Sequence, residues 1–233
     1  MRDYVVKYFS TAIAPFFDSI SSIAVIGGYL NEPELIVFRE KEIKIKTIGI
    51  DSESDFFLDL NNPIPKNTKN EIEQYDLILC SQVFEHLFDI KQAITNLYYL
   101  AKVDGLIWIG FPSSNRAHGS PEYYAAGYQP ELVTNLIQSM NLNMEILNKG
   151  VVGSKRYYFM NHALSVWPST KELDKPILHY DFNRLPGPRY KDFLRFLRDF
   201  PGRVYASFVQ NKVSDDVRWA SESFVLVRKN REE

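Results

Sequence analysis

The chain has a single cysteine, Cys80, in its 233 residues, so an intramolecular disulfide is excluded. Cys80 lies in an apolar run, where a buried structural thiol is expected rather than a nucleophile. No stretch reaches the ~18 continuous apolar residues of a membrane span. No secretory leader pattern is apparent either, since Arg2 and Asp3 precede a stretch that is periodic rather than continuously apolar. A soluble, cytoplasmic protein with no membrane partner is expected. An excess of one charge is also missing. The 27 Lys and Arg residues against 29 Asp and Glu leave a net charge of −2. Nucleic-acid binders usually present a basic face, so no nucleic-acid partner is expected. No Cys/His/Asp group has zinc-ligand spacing, and neither a Ser-centred elbow nor a Walker loop occurs. No acids pair as a glycosidase dyad would require. Nothing in the sequence points to a metal.

Hydrophobic residues are abundant, at 45%, and aromatics make up 14%. That is enough core for one domain with decoration, or for a domain and a subdomain. Residues 1–21 hold an amphipathic helix, with Val5, Val6, Phe9, Ile13, Phe16, Phe17 and Ile20 near helical spacing. Ser22–Gly28 is apolar on both faces, as a central parallel strand should be. Pro33–Lys41 suits a crossover helix with proline in its first turn. Lys44–Asp51 and Phe56–Leu60 follow as strands, then a turn at Asn61–Pro65 and a weak polar helix at Lys66–Gln74. After residue 112 comes a long loop rich in Ser, Gly, Tyr and His. A helix at Pro130–Met140 and a strand at Asn143–Leu147 complete a core over residues 22–147. Residues 148–217 fit no simple pattern and are expected to form a helical insertion, a lid or a dimer element. Residues 218–233 hold a last strand, Ser223–Arg228, and a tail. The aromatic insertion leaves self-association into a homo-oligomer open.

The most informative segment is Tyr75–His86, YDLILCSQVFEH. It predicts a short apolar strand that turns into a helix through Ile90, Ala93, Ile94, Leu97 and Leu100. Asp104-Gly105-Leu106-Ile107-Trp108-Ile109 then opens another strand. This is a βαβ unit, whose crossover is right-handed. Ligands of such sheets sit at the carboxyl ends of the strands. Ser81, Gln82, Glu85 and His86 lie there.

From Asp76 to Glu85-His86, and on to Gly105, the segment resembles class I S-adenosylmethionine-dependent methyltransferases, in their small-molecule branch. The resemblance covers Ser22–Leu147. It implies an α/β fold: a Rossmann-like, mostly parallel seven-stranded sheet with flanking helices, its last strand antiparallel. It also implies S-adenosylmethionine as cofactor and a small-molecule acceptor. Gly27 and Gly28 match the start of the family's glycine turn. The turn is degenerate here. Val25 stands in the acidic place, and Tyr29 and Asn31 stand in the later glycine places. By the same resemblance, Asp51 accepts the ribose hydroxyls. Asp59 accepts from the adenine amino group, with Leu60 beside the ring. Ser81, Gln82 and Glu85 line the methionine and sulfonium end.

The loop after the fifth strand borders the transferred methyl group in this fold, and long loops in compact domains are commonly functional. Arg116, Glu122, Tyr123, Tyr124 and Tyr128 there suit a sugar, a nucleotide-sugar or a small phenol, with His86 nearby. Transfer to a hydroxyl needs proton removal, and histidine is the usual base near neutral pH. His118 is the candidate. Two rivals remain open: a methyltransferase-like binding or assembly protein without catalysis, and a nicotinamide-dependent oxidoreductase. The oxidoreductase would need glycines where Tyr29 and Glu32 stand.

Overall fold

A computed structural model describes residues 3–65, 74–113, 125, 127–154, 213–214 and 220–231. Helix α1 spans Asp3–Ile13 and passes into a 3-10 helix over Ala14–Ser19. The expected single helix breaks there because Pro15 in the first turn has no N–H to continue the ladder. The strands are β1 Ser22–Ile26, β2 Lys44–Gly49, β3 Phe56–Phe57, β4 Tyr75–Ser81, β5 Ala101–Pro112, β6 Met144–Ser154, β7 Val213–Ser214 and β8 Ala220–Lys229. They form one sheet in the order β3-β2-β1-β4-β5-β8-β6-β7. β1 to β5 run parallel, and β8 lies antiparallel between β5 and β6. The sheet is therefore mostly parallel along its first five strands, with the antiparallel late strand that the resemblance implied. The two-residue β7 adds an eighth strand on the outer edge of β6.

Several expected elements are shorter or longer than the pattern suggested. Pro33–Phe38 is a 3-10 helix rather than an α-helix through Lys41. The third strand keeps only Phe56–Phe57, because Asp59 folds the chain into a turn by accepting from Asn61 and Asn62. The expected helix from Ser81 to Leu100 is two pieces, a 3-10 turn at Phe84–His86 and helix α2 at Ile90–Leu100. Leu87 between them is extended, and the Asp89 carboxylate caps the new helix by accepting from Gln92 N–H at 2.9 Å. Helix α3 spans Pro130–Ser139. β6 continues through residues 148–154, where an insertion was expected to begin. It does so because its backbone finds β8 as far as Gly153 opposite Ala220. Residues 66–73 and 155–212 lie outside the described set, with the helices expected there. Among the described residues, no helix is long and apolar enough to cross a membrane.

Two apolar layers sandwich the sheet. On one side α1 and the 3-10 helices pack Phe9, Ile13, Leu35 and Phe38 onto Val25, Leu79, Trp108 and Leu226. The Trp108 ring stacks on Phe224 at 4.8 Å and meets the Phe9 ring edge-on at 5.1 Å. On the other side α2 and α3 pack Leu97, Leu100, Val133 and Ile137 onto Ile26, Ile78, Ile107 and Val225.

One charged knot holds the amino ends of β1 and β4. The Asp76 carboxylate accepts from the N–H and hydroxyl groups of both Ser21 and Ser22, and from Lys102 Nζ at 2.8 Å. Partial burial pushes the Asp76 carboxyl up, but these bonds outweigh it and hold the group well below the usual carboxylate range. Its folded pKa is thus below its unfolded one. The stabilisation is present above the ordinary carboxyl range and is lost as pH falls toward the folded value. Asp76→Ala should cost about 1–3 kcal/mol in denaturant unfolding at pH 7. The gap between parent and variant should narrow in titrations at progressively lower pH.

Candidate active site

The carboxyl ends of β1, β2, β4 and β5 converge where the strand order reverses between β1 and β4. Open α/β sheets bind ligands at such a point. Gly27 leaves β1 with φ +63°, the left-handed region, and its N–H donates to Ile48 C=O at 2.7 Å. A Cβ on Gly27 would lie 2.8 Å from Val83 Cγ2. Only glycine fits this turn, and the backbone there runs close against the β4 end. Neither Tyr29 nor Asn31 takes a positive φ. Both sit in ordinary backbone, with turn bonds from Glu32 N–H to Tyr29 C=O and from Leu35 N–H to Glu32 C=O.

Asp51 stands exposed just past β2. Its Oδ1 accepts from Glu53 N–H at 3.2 Å and its Oδ2 from the Tyr29 hydroxyl at 3.1 Å. The Glu53 N–H, then the Tyr29 hydroxyl, hold the Asp51 carboxyl below its ordinary value. The Asp51 bond in turn raises the Tyr29 phenol. Asp59 caps its own turn, accepting from Asn61 N–H at 2.9 Å and Asn62 Nδ2 at 2.6 Å. Leu60 is buried beside it. That turn is tied to α2 by buried Asn96, whose amide donates to the carbonyls of Leu60 and Asn62.

At the β4 end, the Ser81 hydroxyl donates to Glu34 Oε1 at 2.8 Å. Gln82 has φ +59°, unusual for a residue with a side chain. Its N–H donates to Gly110 C=O at 2.8 Å, and its Nε2 to Glu222 Oε2 at 2.6 Å. Strained residues of this kind cluster at functional sites. Glu85 is buried in the following turn, with His86 Nε2 at 3.9 Å. Tyr128 lies over Phe111, ring edge to face at 6.1 Å. Burial, and then the Glu85 charge, push the Tyr128 phenol above its ordinary value.

The structure therefore brings Gly27, Gly28, Asp51, Ser81 and Gln82 to one end of the sheet. Asp59 and Leu60 sit in the neighbouring turn, Glu85 and His86 lie in the turn after β4, and Tyr128 is tied to the end of β5, its N–H donating to Pro112 C=O at 2.8 Å. Arg116, His118, Glu122, Tyr123 and Tyr124 lie outside the described residues. Three residues were missed: Glu34, Trp108 and Glu222. Glu34 follows Pro33 in the first turn of its 3-10 helix, where an acid is normally solvated. Glu222 carried a usable signal, since the alternation Glu222, Phe224, Leu226 places it on the buried face.

The residues present fit a nucleoside carrying an amino-acid end. Asp51 offers an exposed carboxylate, the Gly27 turn allows close backbone approach, and the buried atoms Glu34 Oε2 and Trp108 Nε1 have no hydrogen-bond partner among the described residues. Gly27→Ala tests the turn. It should cost about 1–3 kcal/mol in unfolding, and Val83→Ala in the same chain should recover part of that cost by removing the clash. Additive losses in the double-mutant cycle would show that the clash is not the cause.

No protein-family model and no curated protein matches the sequence. Solved structures do match its fold. Coclaurine N-methyltransferase bound to N-methylheliamine and S-adenosylhomocysteine is 13% identical, with a TM-score of 0.52 over 96% of this chain and 70% of that one. Phosphoethanolamine N-methyltransferase 2 of Haemonchus contortus, in complex with S-adenosylmethionine, is 12% identical, with a TM-score of 0.50 over 95% of this chain and 52% of that one. The [4+2]-cyclase SpnF is 15% identical, with a TM-score of 0.56 over 97% of this chain and 81% of that one. Sheet order, the antiparallel late strand and these likenesses agree: the chain has the fold of the class I S-adenosylmethionine-dependent methyltransferases.

Proposed function

We propose that the protein is an S-adenosylmethionine-dependent methyltransferase acting on a small acceptor, at a hydroxyl of a sugar, a nucleotide-sugar or a similar metabolite. The observation that carries this reading is Asp51. Its exposed carboxylate stands just past β2 beside the Gly27 turn, where two adjacent ribose hydroxyls would find an acceptor-only partner. When bound, the cofactor supplies an electrophilic methyl group on a sulfonium. Asp51 holds the ribose, Asp59 and Leu60 border the adenine, and Ser81 and Gln82 border the methionine end. The loop between β5 and α3 presents the acceptor through Arg116, Glu122, Tyr123, Tyr124 and Tyr128. His118 removes the hydroxyl proton. Most of the rate then comes from holding two reactants in line, worth about 7–11 kcal/mol in well-oriented cases.

Titration calorimetry with S-adenosylhomocysteine tests the reading. Asp51→Ala should weaken binding at least about tenfold, because charge-assisted bonds to hydroxyls are lost. Equal affinity in parent and variant would remove Asp51 from the site.

His118→Ala should lower kcat by ~10²–10⁴-fold on a hydroxyl acceptor and leave cofactor affinity unchanged. The rise of the parent's rate through the imidazole pKa should disappear with it. A variant that keeps this limb of the pH profile would place the base elsewhere.

A second reading is a methyltransferase-like binding or assembly protein without turnover. It is favoured by the Tyr29 hydroxyl, which already engages Asp51. It expects S-adenosylhomocysteine not to bind the parent.

A further inference from the structure

A groove of about 580 Å³ runs along the 3-10 helix Pro33–Phe38, bordered also by α1 and β2. Val6 of α1, Leu35 and Phe38 of the 3-10 helix and Ile45 of β2 line it. Leu35 and Phe38 are buried and belong to the apolar layer on this side of the sheet. Leu30 and Ile36 line the same groove, yet they stand 63% and 52% exposed. A single exposed apolar side chain is ordinary. Two that border one apolar groove of ligand size need a reason, and the packing of the fold supplies none.

The helix type sets what this surface presents. In a 3-10 helix the side chains at i and i+3 eclipse. Pro33, Ile36 and Arg39 therefore fall in one row, with Arg39 capping the helix as its N–H donates to Ile36 C=O at 3.3 Å. At ~2.0 Å per residue the row spans about 12 Å from Pro33 to Arg39. It is apolar at two places and cationic at the third. The Arg39 guanidinium makes no hydrogen bond and no ion pair among the described residues. The other charges on the groove are engaged elsewhere. Lys41 Nζ donates to the carbonyls of Phe17 and Asp18. Glu32 holds its carboxylate over Gly28, where a Cβ would lie 2.6 Å from Oε1. What remains is an apolar track that ends at one available cation. Its complement is a hydrocarbon tail with an anionic head, and a guanidinium takes a carboxylate through two parallel bonds.

We propose that this groove binds a medium-chain fatty acid, with its tail along Leu30, Pro33 and Ile36 and its carboxylate on Arg39. The inference stands on the groove alone and does not depend on the methyltransferase reading.

The probes are sodium octanoate, 1-octanol and sodium acetate, which carry both parts of the ligand, the tail alone and the head alone. Each is titrated calorimetrically into the full chain, into Arg39→Gln and into Ile36→Asn. Both substituted residues are exposed, so both variants should fold as the parent does. The parent should bind octanoate at least about fivefold more tightly than octanol, and acetate not measurably. Arg39→Gln should weaken octanoate about fivefold and change octanol by less than about twofold. Ile36→Asn should weaken both by about threefold or more. A parent that does not bind octanoate, or that binds octanol or acetate as tightly, would overturn the inference. So would an Arg39→Gln variant that keeps the parent's octanoate affinity. A dimer in sedimentation that Ile36→Asn dissociates would also overturn it, by showing that a second copy covers the groove. None of these outcomes touches S-adenosylhomocysteine binding, so the methyltransferase reading stands or falls separately.

Discussion

The parallel pairing of β1 with β4 is the constraint on which the site depends. Ile23 to Ile26 lie opposite Leu77 to Cys80, with no bulge in the register. Both strands are apolar on both faces and buried along this length, so a slip by one residue would move every side chain to the wrong layer. Asp76 pins their amino ends through Ser21 and Ser22. With that end fixed and the register set, the opposite ends must deliver Gly27 and Ser81 at the same height. The strand order reverses between these two strands, so the chain leaves β1 and β4 in opposite directions across the sheet. The crevice left between the departing loops is the candidate site.

Two buried side chains carry this order outward. Asn96 on α2 grips the turn after β3 through the Leu60 and Asn62 carbonyls, and it also accepts from Ile64 N–H. Asn61 of that turn accepts from the N–H groups of Phe88 and Asp89. The turn that carries Asp59 is thus bonded to the helix following β4. On the far side, Lys229 at the end of β8 donates to the carbonyls of Tyr98 and Ala101, where α2 ends. A cation is favoured at a helix carboxyl end, and the Tyr98 ring 4.4 Å from it adds to the attraction. The last strand is therefore fastened to the same helix that steadies the Asp59 turn.

Much of the fold was legible in the sequence because parallel strands buried on both faces read as continuous apolar runs. Ile23–Ile26 and Leu77–Cys80 are such runs, and Asp51 follows from the end of the next. Boundaries were less legible where a single polar side chain decides them. Asp89 starts a new helix by capping it, and Asp59 ends a strand by bonding its own turn. Neither is distinguishable in sequence from a surface acid. β6 ran past its expected end because its partner, β8, lies some seventy residues away in the chain, which local periodicity does not see. Glu34 was illegible for the same reason. A glutamate after proline at a helix start is normally solvated, and only the Ser81 hydroxyl, 47 positions away, draws it inside.

The Tyr29 hydroxyl on Asp51 makes the protein a competitor for its own carboxylate. Where a ligand displaces the Tyr29 hydroxyl from Asp51, its apparent affinity is its intrinsic affinity scaled by the fraction of molecules in which that contact is broken. Substitutions that bias the turn carrying Tyr29 would shift this fraction without touching the ligand. Evolution can therefore weaken or strengthen binding here by moving a population, and leave Asp51 itself unaltered.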